Sequence, residues 1–211
     1  MGAVPAIQGS LIDCASAVDL APLDGFVERT GLTDGAWIDL RRRWVTGSDL
    51  LFERLVSTVP WRSEERWMYR RRVEVPRLVA SYGEGENLPD PLLERARDVL
   101  SVHYADEPGG AFAAAGLCLY RDGSDSVAWH GDRIGRGAVE DVLVAIVSFG
   151  AERRFALRPR GGGAALRLTL ARGDLLVMGG SCQRTWEHSV PKSARADGAR
   201  VSVQFRPRNT G

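Results

Sequence analysis

Arg200-Val201-Ser202-Val203-Gln204-Phe205-Arg206 alternates strictly between polar and apolar side chains. A period of two is the signature of a β-strand, so Val201, Val203 and Phe205 share one face, and Arg200, Ser202, Gln204 and Arg206 the other. On an ordinary surface strand the polar face would be wet. Lining a barrel instead, it would aim two guanidinium groups into one space, where each can grip a carboxylate at two points. Unpaired buried arginines are costly, so two of them facing inward call for a bound dianion. A small dicarboxylate such as 2-oxoglutarate fits, provided that the rest of the sequence supplies a barrel and something for the 2-oxo acid end to chelate.

The barrel is supplied from Gly116 onward, where short strand candidates alternate with turns. They are Gly116–Arg121, Val127–Gly131, Val142–Phe149, Arg154–Arg158, Ala165–Ala171, Asp174–Met178, Thr185–Val190 and Arg200–Pro207. Asp122-Gly123, Gly161-Gly162-Gly163, Arg172-Gly173-Asp174 and Gly179-Gly180 punctuate them. About eight short strands at this spacing predict a jelly-roll or related barrel. Upstream, residues 1–35 read as an arm with a short strand or turn at Phe26-Val27-Glu28, followed by a strand at Ala36–Leu40. Ser48-Asp49 opens a helix carrying Leu51, Phe52, Leu55 and Val56 at helical spacing, which Pro60-Trp61 closes. Glu65 to Arg77 reads as one or two extended segments, Leu78–Tyr82 as a strand, and Gly83–Pro89 as a loop. Asp90-Pro91 caps a second helix, with a stripe of Leu92, Leu93, Ala96, Val99 and Leu100. The expected class is mainly β with flanking helices (α+β), the N-terminal helices packing on one outer face. With no repeat, low-complexity tract or linker, residues 1–211 are expected to form one domain.

Composition narrows the class. An apolar share of 44% and a charged share of 26% are ordinary for a soluble globular chain. No run of eighteen apolar residues and no secretory leader pattern is present, so neither membrane nor export is expected. Cys14, Cys118 and Cys182 are dispersed and odd in number, which argues against a disulfide framework or structural zinc and favours a reducing cytoplasm. A net charge of +1 excludes a uniformly basic nucleic-acid binder, so any phosphate-binding face must be local.

The chelating centre is found in Trp129-His130-Gly131-Asp132. On a strand, His130 and Asp132 project to the same side, giving two ligands of a 2-His-1-carboxylate triad, the set that suits ferrous iron because it leaves positions open. Of the other two histidines, His103 falls at a helix end, whereas His188 sits in a predicted strand several strands on. His188 is therefore the expected third ligand.

These motifs together resemble the AlkB family of Fe(II)/2-oxoglutarate dioxygenases, which reverse N-alkylation of nucleic-acid bases. The likeness spans roughly residues 60–207 and includes Tyr120-Arg121-Asp122-Gly123, Ser148-Phe149-Gly150, Arg154-Phe155, Asp174-Leu175-Leu176-Val177-Met178 and His188-Ser189-Val190-Pro191-Lys192. It implies a double-stranded β-helix (jelly-roll) core over 116–207, preceded over 1–115 by helices and a nucleotide-recognition lid. It also implies His130, Asp132 and His188 as catalytic iron ligands. Arg200 would hold the distal carboxylate of 2-oxoglutarate with help from Tyr120, and Arg206 would stand near the 1-carboxylate end.

Two departures stand out. The family often has Asn-x-Tyr where this chain has Cys118-Leu119-Tyr120, leaving co-substrate affinity to the arginines and Tyr120. An acidic residue that commonly contacts the damaged base is replaced by Ile134, which leaves the preferred base open. On the substrate side, Trp61–Arg77 interleaves Trp61, Trp67 and Tyr69 with Arg62, Arg66, Arg70, Arg71, Arg72 and Arg77, a mixture suited to stacking and phosphate contact. The alternative is a sheet edge with its arginines paired to Glu64, Glu65 and Glu74. Trp61, Trp67, Tyr69, Arg71 and Tyr82 are the candidate substrate residues.

The function implied is oxidative demethylation of bases of the 1-methyladenine or 3-methylcytosine type, using Fe(II), O2 and 2-oxoglutarate and releasing formaldehyde, succinate and CO2. The partner would be alkylated DNA or RNA, single-stranded or with a flipped base, met by a monomer in the cytoplasm. The alternatives are a 2-oxoglutarate oxygenase acting on a protein or small molecule, and a non-catalytic nucleic-acid-binding module.

Overall fold

The computed structural model describes residues 17–68, 71–132, 135–196 and 198–207; the side chains of 66–68, 71–74, 135 and 136 lie outside that description. In chain order the elements are β1 (Asp19–Leu20), β2 (Glu28–Gly31), β3 (Ala36–Arg41), β4 (Val45–Thr46), α1 (Ser48–Thr58), β5 (Arg62–Met68), β6 (Arg71–Tyr82), α2 (Pro91–His103), β7 (Phe112–Tyr120) and β8 (Val127–His130). Then come β9 (Val144–Gly150), β10 (Arg153–Pro159), β11 (Leu166–Leu170), β12 (Leu175–Gly180), α3 (Cys182–Thr185), β13 (Trp186–Val190) and β14 (Arg200–Pro207).

Two antiparallel sheets form the body. The larger runs β2-β3-β12-β9-β14-β7-β6-β5, and the smaller β11-β10-β13-β8. The central strands of the larger sheet are buried on both faces, which is why β9 and β12 read as near-continuous apolar runs. Parity sorts their side chains. Ala145, Val147, Phe149, Leu175, Val177, Val201, Val203 and Phe205 join the helix-side core with Leu51, Leu55, Leu93, Ala96 and Leu100. Val144, Ile146, Leu176, Met178 and Tyr120 face the smaller sheet and pack with Phe155, Leu157, Leu170, Trp186 and Val190. The helices α1 and α2 thus cover one outer face, and the interior between the sheets, which α3 borders through Cys182 and Gln183, is left for the site. This is the expected jelly roll. No helix among the described residues is long and apolar enough to cross a membrane.

Several expectations need adjustment. β7 starts at Phe112 rather than Gly116, because Ala114 and Ala115 pair with Arg206 and Phe205 of β14, and Ala115 also faces Tyr82 of β6. Pairing overrides the helical preference of alanine. β6 is one strand of 12 residues running through Pro76. The proline is tolerated because the β5–β6 register shifts there, so no ladder N–H is demanded. Thr185 belongs to α3, and the strand begins at Trp186. In the α2 stripe, Leu92, Leu93, Ala96 and Leu100 are buried, but Val99 lies at its edge and is 39% exposed.

Candidate active site

His130 ends β8 and His188 lies on β13, and the two are direct cross-strand partners. Their rings are 4.2 Å apart between centroids, tilted by 53°. Asp132 follows two residues after His130, its Oδ1 4.0 Å from His130 Nε2. The ligand atoms of all three residues lie within 4.8 Å of one another.

Each member is fixed by a neighbour. The His130 Nδ1–H donates to the Ala128 carbonyl at 2.9 Å, which leaves Nε2 with its lone pair directed at the cluster. The Arg206 Nε–H donates to Asp132 Oδ2 at 2.8 Å, and Gln183 Oε1 accepts from the Asp132 backbone N–H at 3.1 Å. Phe155 stacks on His188 with centroids 5.5 Å apart. Burial raises the Asp132 pKa, but Arg206 and the two imidazoles outweigh it and hold the carboxyl below its ordinary value. Burial, aided by His130, pushes His188 down to about 3, so its imidazole is neutral and free to donate a lone pair.

The cluster stands where two cavities meet between the sheets. An inner one of about 70 Å³ is lined by Tyr120, Phe155, His188, Ser202, Gln204 and Arg206 among others. An outer one of about 900 Å³ opens past Trp129, Gly131, Val75 and Asp141. His130, Asp132, Cys118, Arg77, Gln204 and Arg206 border both.

Arg200 is 1% exposed and lies against the Tyr120 ring, 5.3 Å from guanidinium carbon to centroid. Its Nη2 donates to Ser148 Oγ at 2.8 Å, whereas Nε and Nη1 have no partner. Arg153 approaches the same ring at 5.5 Å. Burial pushes the Tyr120 pKa up, against the pull of Arg200, Arg77 and Arg153, so the hydroxyl keeps its proton and can donate.

A family model described as the 2OG-Fe(II) oxygenase superfamily matches residues 80–206. The chain belongs to that superfamily.

Among curated proteins, this chain is 30% identical over 199 residues to the bovine alpha-ketoglutarate-dependent dioxygenase alkB homolog 3, a match covering 85% of the chain and 66% of the relative. It is 38% identical over 135 residues to the Arabidopsis thaliana DNA oxidative demethylase ALKBH2, covering 52% and 42% respectively. The AlkB resemblance is thereby borne out, though the chain spans no more than about two thirds of these relatives' lengths. A solved structure described as that of OsALKBH1 superposes with a TM-score of 0.63 at 13% identity, covering 86% of this chain and all of that one, and it supports the fold.

The superfamily description names Fe(II) and 2-oxoglutarate, and the residues of this chain fit both. Two imidazoles and one carboxylate are the donor set for a ferrous ion with open positions. Two unpartnered nitrogens on a fully buried guanidinium are what an anionic carboxylate would satisfy.

Not every expected site residue is brought here. Trp61 packs on the helix-side core, its Nε1–H donating to the Val56 carbonyl at 3.3 Å, and Tyr82 packs on the same core. Neither lines the cavities. The side chains of Trp67 and Arg71, and all of Tyr69 and Ile134, lie outside the described residues. Arg77, grouped in sequence with the arginines expected to contact phosphate, borders both cavities, because its strand parity turns it inward beside Tyr120. His103, at the end of α2, pairs with Asp24 at 2.9 Å, away from the site. Sequence reasoning missed Gln183, and it placed Ser148 in a family-like motif and Gln204 on the inward face of its strand without giving either a role. A polar Ser148 inside the apolar run Val144–Phe149 was a usable signal; Gln183, on a short helical turn, carried none.

Proposed function

We propose that the chain is an Fe(II)- and 2-oxoglutarate-dependent oxidative demethylase of N-alkylated nucleic-acid bases, of the 1-methyladenine or 3-methylcytosine type. The observation that carries this is the His130–Asp132–His188 cluster at the junction of an inner cavity, with Arg200 beyond it, and an outer cavity large enough to receive a base. The curated relatives, named as AlkB homologues and DNA oxidative demethylases, support the same chemistry.

His130, Asp132 and His188 would hold the iron, Arg200 and Tyr120 the distal carboxylate of 2-oxoglutarate, and Arg206 would stand by its other end. Together with O2, the bound iron and co-substrate supply a two-electron oxidation of the N-methyl C–H bond, 2-oxoglutarate leaving as succinate and CO2. The hydroxymethyl group then collapses to formaldehyde and the free base. The protein positions the base over the cluster and excludes water from it. Such a base must leave its stack, so the substrate is a single strand or a duplex with the target nucleotide flipped. A cytoplasmic monomer is the working state; Cys118 and Cys182 are free thiols, in keeping with a reducing compartment.

Formaldehyde release, with iron and 2-oxoglutarate supplied, should be detected from oligonucleotides carrying 1-methyladenine or 3-methylcytosine and not from unmodified ones. His188→Ala should abolish it while circular dichroism remains native. Full turnover by that variant would overturn the iron-ligand assignment, and salt-independent binding of the oligonucleotides would send the search to protein or small-molecule substrates.

A further inference from the structure

The inner cavity has one polar wall that none of the roles above uses. Ser202 and Gln204 both project into it from β14, 3% and 8% exposed. The Gln204 amide Nε2 donates to Ser202 Oγ at 2.6 Å and to the Ser202 carbonyl at 2.8 Å. Its Oε1 lies 3.7 Å from Cys118 Sγ, on the facing stretch of β7. A thiol is a weak donor, so the β7 side of this wall offers little to an anion.

The hydrogen-bond directions decide what the wall can do. Ser202 Oγ accepts from the amide, and both amide hydrogens are already committed. The hydroxyl proton of Ser202 is therefore left over, on a side chain that lines the cavity. An O–H whose oxygen is already accepting is a strengthened donor. Opposite Gln204 in the register is Gly116, where an added Cβ would lie 3.2 Å from Gln204 Oε1 and 2.7 Å from Arg206 Nη1. The bare glycine leaves room for both β14 side chains to stand in the cavity.

We propose that Gln204 is a positioning residue that, through Ser202, supplies the 2-oxoglutarate pocket with the hydrogen-bond donor that Cys118 does not. This rests on the co-substrate assignment above. Gln204 holds the Ser202 hydroxyl in the rotamer that donates to a carboxylate oxygen, and the amide itself does not touch the co-substrate.

The test is calorimetric titration of 2-oxoglutarate into protein loaded with Mn(II) instead of Fe(II), so that no turnover intervenes. Ser202→Ala should weaken binding about tenfold or more, the loss expected for a hydrogen bond to a charged group. Gln204→Met keeps the side chain's bulk and removes the amide, and should weaken binding by a similar factor. In the Ser202→Ala background, Gln204→Met should add nothing, because the glutamine acts through the serine. Cys118→Asn placed on Gln204→Met should restore affinity by returning a donor from β7. Melting temperatures within a few degrees of the parent would exclude a general loss of fold. Unchanged affinity in Gln204→Met, or additive losses in the double variant, would overturn the proposal while leaving the enzyme assignment intact. Absence of binding by the parent protein would instead remove the co-substrate reading on which it rests.

Discussion

Arg206 joins two parts of the site through one side chain: it borders the inner cavity, and its Nε–H is bonded to Asp132 Oδ2. Partners that orient a metal ligand matter nearly as much as the ligand. Arg206→Gln should therefore lower metal affinity by about 10–100-fold even though no ligand is changed. Competition with a chromogenic chelator would measure this, and parental affinity would show that Asp132 is held by its backbone alone. At this scale the sequence was informative wherever chemistry is written in residue type and strand parity. His130, Asp132, His188, Arg200 and Arg206 could be read because few residues besides metal ligands and anion clamps belong on an inward face. Arg77 and Gln183 could not, because their roles depend on which distant elements become neighbours, whereas Ser148 showed only as a polar residue in an apolar run. Arg77 looked like one member of a basic cluster until β6 was seen to turn it toward Tyr120.

Strands and helices were legible to the extent that burial left a pattern. β9 and β12 announced themselves by two-sided burial, β14 by alternation, and α2 by its cap. Asp90 does cap that helix, its Oδ1 accepting from the Leu92 N–H at 2.9 Å while Oδ2 accepts from Arg54 at 2.8 Å. Asp90→Ala should cost about 1–2 kcal/mol of stability in denaturant titration and leave co-substrate binding unchanged. The Trp61–Arg77 segment was harder because a hairpin on a sheet edge mixes aromatic and charged residues much as a nucleic-acid surface does. The loop between β7 and β8 carries a pH-dependent element. Asp125 is held below its ordinary value of 3.8 chiefly by hydrogen bonds from Arg121, against the opposing effect of burial. A carboxylate with a depressed folded pKa stabilises above 3.8, and the contribution is lost as pH falls through the lower folded value. Asp125→Asn should thus melt below the parent at neutral pH, the two curves converging as pH falls below 3.8. Parallel curves across that range would remove this carboxylate from the acid response.

For the whole molecule, the jelly roll divides labour between its sheets: the larger carries α1 and α2 on its outer face and Arg77, Arg200 and Arg206 within, and the smaller brings the two histidines together. Iron binding should therefore be linked to global stability. Saturating the protein with Mn(II) at about a hundred times its Kd should add about 2.7 kcal/mol, read as a rise in melting temperature that a chelator reverses. A melting temperature indifferent to metal would mean that the cluster does not bind it tightly. The position of His130 gives this linkage a further meaning. β8 is the edge of the smaller sheet, with β13 as its one neighbour there, and its register is irregular between His188 and Val190. An edge strand of four residues has little to prevent it from slipping. A slip of one residue would turn His130 to the outside and Trp129 to the inside. Only the in-register pairing sets His130 opposite His188, so a bound metal would favour that register, and a chain slipped by one residue would lack one of the three ligands.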